Sequence, residues 1–374
     1  MNPPYWFELL DQLRRLQGTA LDRFGLGPRE SAFQVLFTMP GLRLRCYGTG
    51  AAHSLPLLIV PAPIKQPYIW DLSPERSVVR RAIEHKLGVY LVEWTEPGEG
   101  TRSPGLSDYA GPMLDACIDA TAEQAHCDRV FLMGHSLGGI IAAIHSAYRP
   151  EHVAGLALIE APLHFPEMAG TFQSLPELGI RGRQEFRSSS RVPGSLLSMI
   201  SASAAPGTFC VSRYLDWLAS MASVERTATH WRVERWTMDE LPMPSTLFDD
   251  VVEGLFRQNS FMRGELAIDG VRLHPRDITA PLLSVYQPSS TITPPESVLA
   301  FHRAAGSRDQ ELVPYFGDIG VALQHVGPLI GDNAYRHVWP RVFNWLDRIV
   351  GARVDATLPG STSWPRSSVD RAED

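Results

Sequence analysis

Apolar residues fall in short, nearly continuous runs separated by amphipathic stretches. Leu57–Val60, Val89–Trp94, Val130–Met133 and Val153–Ile159 read as strands buried on both faces. Between them the pattern predicts helices: one opened by Ser73-Pro74 and closed by Gly88, one from Ser107 to Ala125, and one over Leu137–Tyr148. Upstream, Phe33–Phe37 and Leu42–Tyr47 flank Met39-Pro40-Gly41 as a hairpin. Trp6, Leu9, Leu10, Leu13 and Leu16 mark an N-terminal amphipathic helix. This alternation predicts an α/β domain with a mostly parallel central sheet and helices on both faces.

From about Leu163 to Arg276 the rhythm stops. The stretch is rich in Ser, Arg, Pro and Trp, with helices expected over Tyr214–Ala222 and Pro244–Arg257. Alternation then resumes with strand Pro281–Tyr286, a helix from Pro294, strand Glu311–Phe316 and a last helix over Asn333–Val350. The expected organisation is an N-terminal helix in 1–32, a core from 33–162 and 277–352, a mainly helical cap inserted at 163–276, and a disordered tail at 353–374.

Composition narrows the function classes. Apolar residues make up 44% of the 374 positions and charged residues 20%, as in globular domains. The net charge of −7 and the absence of a lysine-rich tract argue against a nucleic-acid partner. Only Lys65 and Lys86 are lysines. Cys46, Cys117, Cys127 and Cys210 lack zinc or CxxC spacing and read as reduced thiols. No signal peptide or membrane-spanning run is found, so a cytoplasmic location is expected.

The chemistry begins at Gly134-His135-Ser136-Leu137-Gly138, a G-x-S-x-G pattern. An apolar run leads in and a helical run leads out, as a nucleophile elbow requires. Glycines two residues to either side of Ser136 remove side chains that would collide in so sharp a turn. A hydrolase of this type carries its histidine after the last strand, which points to His325 rather than His302 or His337. The acid has three candidates. Glu160 ends the strand after the nucleophile, Asp318 shares a loop with His325, and Glu296 is more remote. The usual position, after Pro281–Tyr286, reads Gln287-Pro-Ser-Ser-Thr-Ile-Thr-Pro294 and holds no carboxylate. The Leu137 amide would bind an oxyanion, helped by that of Ile64 in preference to Ala62, since the prolines of Pro61-Ala-Pro63 donate no N–H.

Three blocks carry a family resemblance: Pro56 to Arg80, Gly88 to Trp94 with Leu106-Ser-Asp-Tyr109, and Trp236 to Gly264. Each is similar to the corresponding block of polyhydroxyalkanoate synthases. The resemblance implies an α/β-hydrolase core with a cap, dimerisation, and acyl transfer from 3-hydroxyacyl-CoA. Two departures stand out. The synthases carry cysteine where this chain has Ser136, and their catalytic aspartate would fall near Ser290; the histidine is retained at His325. A serine ester is less readily passed on than a thioester and more readily lost to water, which tilts the expectation toward an ester or thioester hydrolase. The alternatives are a synthase-like acyltransferase using Ser136, and a catalytically silent partner that binds polymer granules or a synthase subunit.

Arg181, Arg183, Arg187 and Arg191 could bind the phosphates of a CoA ester or form a solvated basic face. No Walker loop, HExxH motif or G-x-G-x-x-G after a strand occurs, so no cofactor and no metal is expected.

Overall fold

The computed structural model describes residues 5–48, 50, 55–96, 102–165, 190–204 and 206–357. Eight strands form the main sheet: β1 Gln34–Met39, β2 Leu42–Gly48, β3 Leu57–Val60, β4 Val89–Trp94, β5 Val130–His135, β6 Val153–Ile159, β7 Leu282–Tyr286 and β8 Gln310–Pro314. Their order is β1-β2-β4-β3-β5-β6-β7-β8. β1 and β2 form the antiparallel hairpin, β2 pairs antiparallel with β4, and all later pairings are parallel. β3 to β6 are buried along their whole length, which explains why they read as continuous apolar runs.

Nine helices matter below: α1 Tyr5–Arg23, α2 Val78–Glu84, α3 Leu114–Ala125, α4 Leu137–Tyr148, α5 Gly194–Ala204, α6 Arg213–Ser220, α7 Val224–Thr237, α8 Pro295–Ala304 and α9 Trp339–Thr357. One apolar cluster joins α3 and α4 to one face of the sheet through Leu58, Leu132 and Leu156. A second joins α2 and α9 to the other face through Ile59, Phe131 and Ala157. The sheet therefore has a core on each side.

Local chemistry moved two expected elements. Ser73-Pro74 does not open α2, because Asp71–Ser73 pairs with Arg76–Ser77 in a small hairpin. Ser77 caps the helix instead, its Oγ accepting the Arg80 amide at 2.9 Å and donating to buried Asp71 at 2.5 Å. On α1, the stripe of Trp6, Leu9, Leu10, Leu13 and Leu16 faces outward, with Leu16 66% exposed. The inward face is Phe7, Asp11 and Arg14. Asp11 accepts the Ser195 amide at 2.7 Å, and Arg14 lies 3.2 Å from Glu240. Polar partners on the facing surface select the polar face.

Between β6 and β7 the described chain adds helices and two-stranded pairs, none joined to the main sheet. α5 to α7 precede Met243. From there Met243, Leu247, Phe248, Val252 and Phe261 pack in the same cluster as α3 and α4. The last helix continues to Thr357, and the rest of the expected tail lies outside the described residues, as do Arg181, Arg183 and Arg187. Arg191 is paired with Glu96.

Candidate active site

Ser136 sits between β5 and α4 with φ 53° and ψ −128°, a conformation a non-glycine residue adopts only under strain. The backbone holds it there: its amide donates to the Ile159 carbonyl at 3.0 Å, and its carbonyl accepts the Ile140 amide at 3.0 Å. The flanking glycines are steric requirements. A Cβ on Gly134 would lie 2.6 Å from the Gly138 carbonyl oxygen, and one on Gly138 would lie 2.1 Å from that of Val60. Gly139 is equally confined, 2.6 Å from the Ala161 methyl, although only the two motif glycines were expected to matter.

Glu160 directly follows the Ile159 that holds Ser136. Its own backbone is left-handed (φ 46°), its amide donates to the Val285 carbonyl at 2.9 Å, and its side chain is 0% exposed. Oε1 accepts the Gln287 amide at 2.5 Å, and Oε2 lies 3.8 Å from Nδ1 of His325. Burial pushes the Glu160 carboxyl up to about 8, against the Gln287 amide and the nearby Ser290 hydroxyl, which both draw it down. Burial likewise pushes the His325 imidazole down to about 4. Ser290 stands where the resemblance locates an aspartate, so the loop after β7 still meets a carboxylate, one carried by β6.

The two other acid candidates sit elsewhere. Asp318 accepts the Tyr315 hydroxyl at 2.9 Å and the Asn333 amide at 2.9 Å, which fastens the His325 loop to the chain leading into α9. Glu296 is exposed and pairs with Arg303. His302 is buried against Ser284, and His337 is exposed.

Residues not singled out in the sequence complete the surroundings of His325. Nε2 of buried His135 lies 2.8 Å from the His325 carbonyl oxygen, so Nε2 carries the hydrogen and donates it. Thr293 Oγ1 is 3.4 Å from His325 Nδ1. His135 is the second residue of the elbow motif, and its place at the end of β5 was the available signal.

Ser136, His135 and His325 share a cavity of about 490 Å³. Pro61, Ala62 and Ile64 line it, as do Leu197, Phe209 and Trp236 from the insertion. A Cβ on Gly138 would also lie 2.5 Å from the Pro61 carbonyl carbon, so the Pro61–Ala62 peptide abuts the elbow. The wall is not wholly apolar. Lys65 bonds Glu240 at 2.5 Å and the Thr237 carbonyl at 3.1 Å, and Glu240 also receives Arg14 and the Ser198 hydroxyl. The Leu241 amide donates to the Ile64 carbonyl at 3.1 Å. Glu240 thus ties α1, α5 and the loop after β3 together. Burial lowers the Lys65 pKa, opposed by Glu240.

The fold agrees with those of solved structures. The chain superposes on a monoacylglycerol lipase of Paleococcus ferrophilus with a TM-score of 0.52 at 14% identity, over 79% of this chain and 96% of that one. It superposes on a thermophilic esterase of Thermogutta terrifontis with a TM-score of 0.50 at 17% identity, over 86% and 99%.

The chain has the α/β-hydrolase fold.

Residues 95–242 match the family model described as serine aminopeptidase, S33. In sequence the chain resembles the polyhydroxyalkanoate synthases. It is 27% identical over 342 residues to the poly(3-hydroxyalkanoate) polymerase subunit PhaC of Haloferax mediterranei, covering 89% of this chain and 67% of that protein. It is 25% identical over 347 residues to that of Allochromatium vinosum, covering 91% and 96%. No helix among the described residues is long and apolar enough to cross a membrane.

Proposed function

We propose that this chain is an enzyme that transfers an acyl group through an acyl-enzyme on Ser136, with a 3-hydroxyacyl thioester as donor and the hydroxyl of a hydroxyacyl unit as acceptor. The observation that carries the reading is the convergence of Ser136 and His325 on one cavity, with Glu160 behind the imidazole. The similarity to polymerase subunits over about nine-tenths of the chain supports transfer over simple hydrolysis.

Ser136 Oγ attacks the thioester carbonyl while His325 takes its proton. The oxyanion is met by the Leu137 amide at the start of α4 and by a second amide from the loop after β3. Contact between the elbow and the Pro61–Ala62 peptide favours Ala62 over Ile64 for that second donor. The tetrahedral adduct collapses, the C–S bond breaks, and His325 returns the proton to the leaving thiolate. In the second half, His325 deprotonates the acceptor hydroxyl, which attacks the acyl carbonyl; the bond to Ser136 Oγ breaks and His325 returns the proton to that oxygen. Glu160 steadies the imidazolium in both halves.

A second reading, hydrolysis, is favoured by the serine itself. An oxygen ester gives up its acyl group to a hydroxyl less readily than a thioester does, and water competes for it.

One experiment separates the readings. The protein and its Ser136→Ala variant are incubated with 3-hydroxybutyryl-CoA, and CoA release and acyl products are followed by mass spectrometry. Transfer predicts oligomers of hydroxybutyrate from the wild type only. Free acid alone would select hydrolysis. No CoA release, combined with no fluorophosphonate adduct on Ser136, would remove both readings and leave a silent binding partner.

A further inference from the structure

Three ligand-type side chains meet on the far side of the nucleophile helix, away from the cavity. They are Asp115 on α3, His145 near the end of α4, and His152 on the short turn Pro150–His152 that follows it. Nδ1, Nε2 or carboxylate atoms of the three all lie within 4.8 Å of one another. His145 is wholly buried, and its Nδ1 lies 2.9 Å from the Ala110 carbonyl oxygen. A carbonyl can only accept, so Nδ1 carries the hydrogen and Nε2 is a bare lone pair. That lone pair faces Asp115 Oδ1 at 3.9 Å, another acceptor, with no donor between them.

His145 Nε2, Asp115 Oδ1 and His152 Nδ1 are buried atoms without a hydrogen-bond partner among the described residues. Buried polar atoms are almost always hydrogen-bonded, so three converging unpartnered ones require an explanation. Arg149 does not provide it. Its Nε forms an ion pair with Asp115 Oδ1 at 4.0 Å but no hydrogen bond with it.

We propose that Asp115, His145 and His152 form a binding site for a divalent transition-metal ion of the zinc type. Two imidazoles and one carboxylate are a zinc donor set, whereas calcium and magnesium require oxygen ligands throughout. The hydrogen bond from His145 to the Ala110 carbonyl is the outer contact that fixes a ligating imidazole in its tautomer. Bonds of about 2.0–2.2 Å to one ion bring the three atoms to within about 4 Å of each other. His152, on the three-residue turn Pro150–His152, is placed where a small inward shift would close the remaining gap. His145 lies about 13 Å along α4 from the Ser136 end, at 1.5 Å per residue. The ion therefore takes no part in acyl transfer. It clamps α3, α4 and the turn together, fixing the rear of the helix whose front carries the nucleophile.

The test uses untagged full-length protein, stripped with chelator, and titrated with Zn²⁺ by calorimetry and with Co²⁺ by visible absorption. The wild type is expected to take up one equivalent and to gain several degrees in Tm with zinc. His152→Ala, a change outside the core, is expected to weaken binding at least a hundredfold and to abolish the Tm gain. Asp115→Asn should do the same, and fluorophosphonate labelling of Ser136 should be unchanged in both. A wild type that takes up no stoichiometric zinc, leaving a buried water as the occupant, overturns the proposal. So does unchanged uptake in His152→Ala.

Discussion

Glu160 Oε2 lies 3.8 Å from Nδ1 of His325, outside hydrogen-bonding range yet close enough to pair with an imidazolium. Burial makes both neutral forms preferred at rest, with Glu160 raised to about 8 and His325 lowered to about 4. The proposed chemistry needs Glu160 ionised and His325 free of its proton. His325 is ready at all pH values above about 4, so Glu160 sets the limb. We expect kcat/KM for thioester cleavage to rise with pH through about 8, rather than near the ordinary histidine value. Glu160→Gln should remove that limb and lower the rate by up to ~10⁴-fold. A profile centred near 6.5 in the wild type would exclude Glu160 as the partner.

Stability should run in the opposite direction. A carboxyl whose folded pKa is raised stabilises the fold fully below its unfolded value and loses that contribution as pH climbs through the folded one. Glu160 therefore makes the protein less stable as pH rises from about 4.5 to about 8. Thermal melts across this window should show Tm falling in the wild type and falling less in Glu160→Gln.

Ser290 offers a rescue. Its hydroxyl acts on the Glu160 carboxyl from the loop after β7. Ser290→Asp in the Glu160→Gln background should regain at least about tenfold of the lost rate, because either route brings a carboxylate to the imidazole. In the wild-type background the same change places two carboxylates together and should move the alkaline limb upward. Steady-state kinetics of the three variants decides the matter.

Gly138→Ala tests the elbow. Its methyl would stand 2.1 Å from the Val60 carbonyl oxygen, which is backbone and cannot swing aside. We expect a loss of about 3 kcal/mol in stability, measured by denaturant unfolding, together with loss of fluorophosphonate labelling.

Glu240→Ala would strand Lys65 and Arg14 as charges at the wall of the cavity. Removing one partner of such a buried group costs about 3–5 kcal/mol, whereas replacing the pair with apolar residues can be nearly neutral. The double variant Lys65→Met with Glu240→Leu should therefore unfold at higher denaturant than Glu240→Ala alone.

The strands were legible because parallel strands covered on both faces leave no polar alternation to confuse the reading. Leu57–Val60, Val89–Trp94 and Val153–Ile159 are observed with the bounds expected of them. The start of α2 was not legible, since Ser73-Pro74 and Ser77 are both competent caps and only the Asp71 hydrogen bonds choose between them. The orientation of α1 was hidden for a related reason. An apolar stripe signals burial only if the surface it meets is apolar, and here that surface offers Glu240 and the Thr237 carbonyl. Among the candidate site residues, Ser136 and His325 are singled out by position along the chain. Glu160 and Asp318 both follow strands at the carboxyl edge of the sheet. Their difference lies in which neighbouring strand each one faces, and that is a property of sheet order rather than of local sequence.

Because Ser136 and Glu160 close adjacent strands of a single strand–helix–strand unit, their separation is set by the spacing of the sheet itself. Within Gln287–Pro294 the Gln287 amide and the Ser290 and Thr293 hydroxyls act on Glu160 and His325, so the positions left to change composition are those between these contacts. A lineage carrying this arrangement can explore new shapes at that rim of the pocket while its reactive centre stays in register.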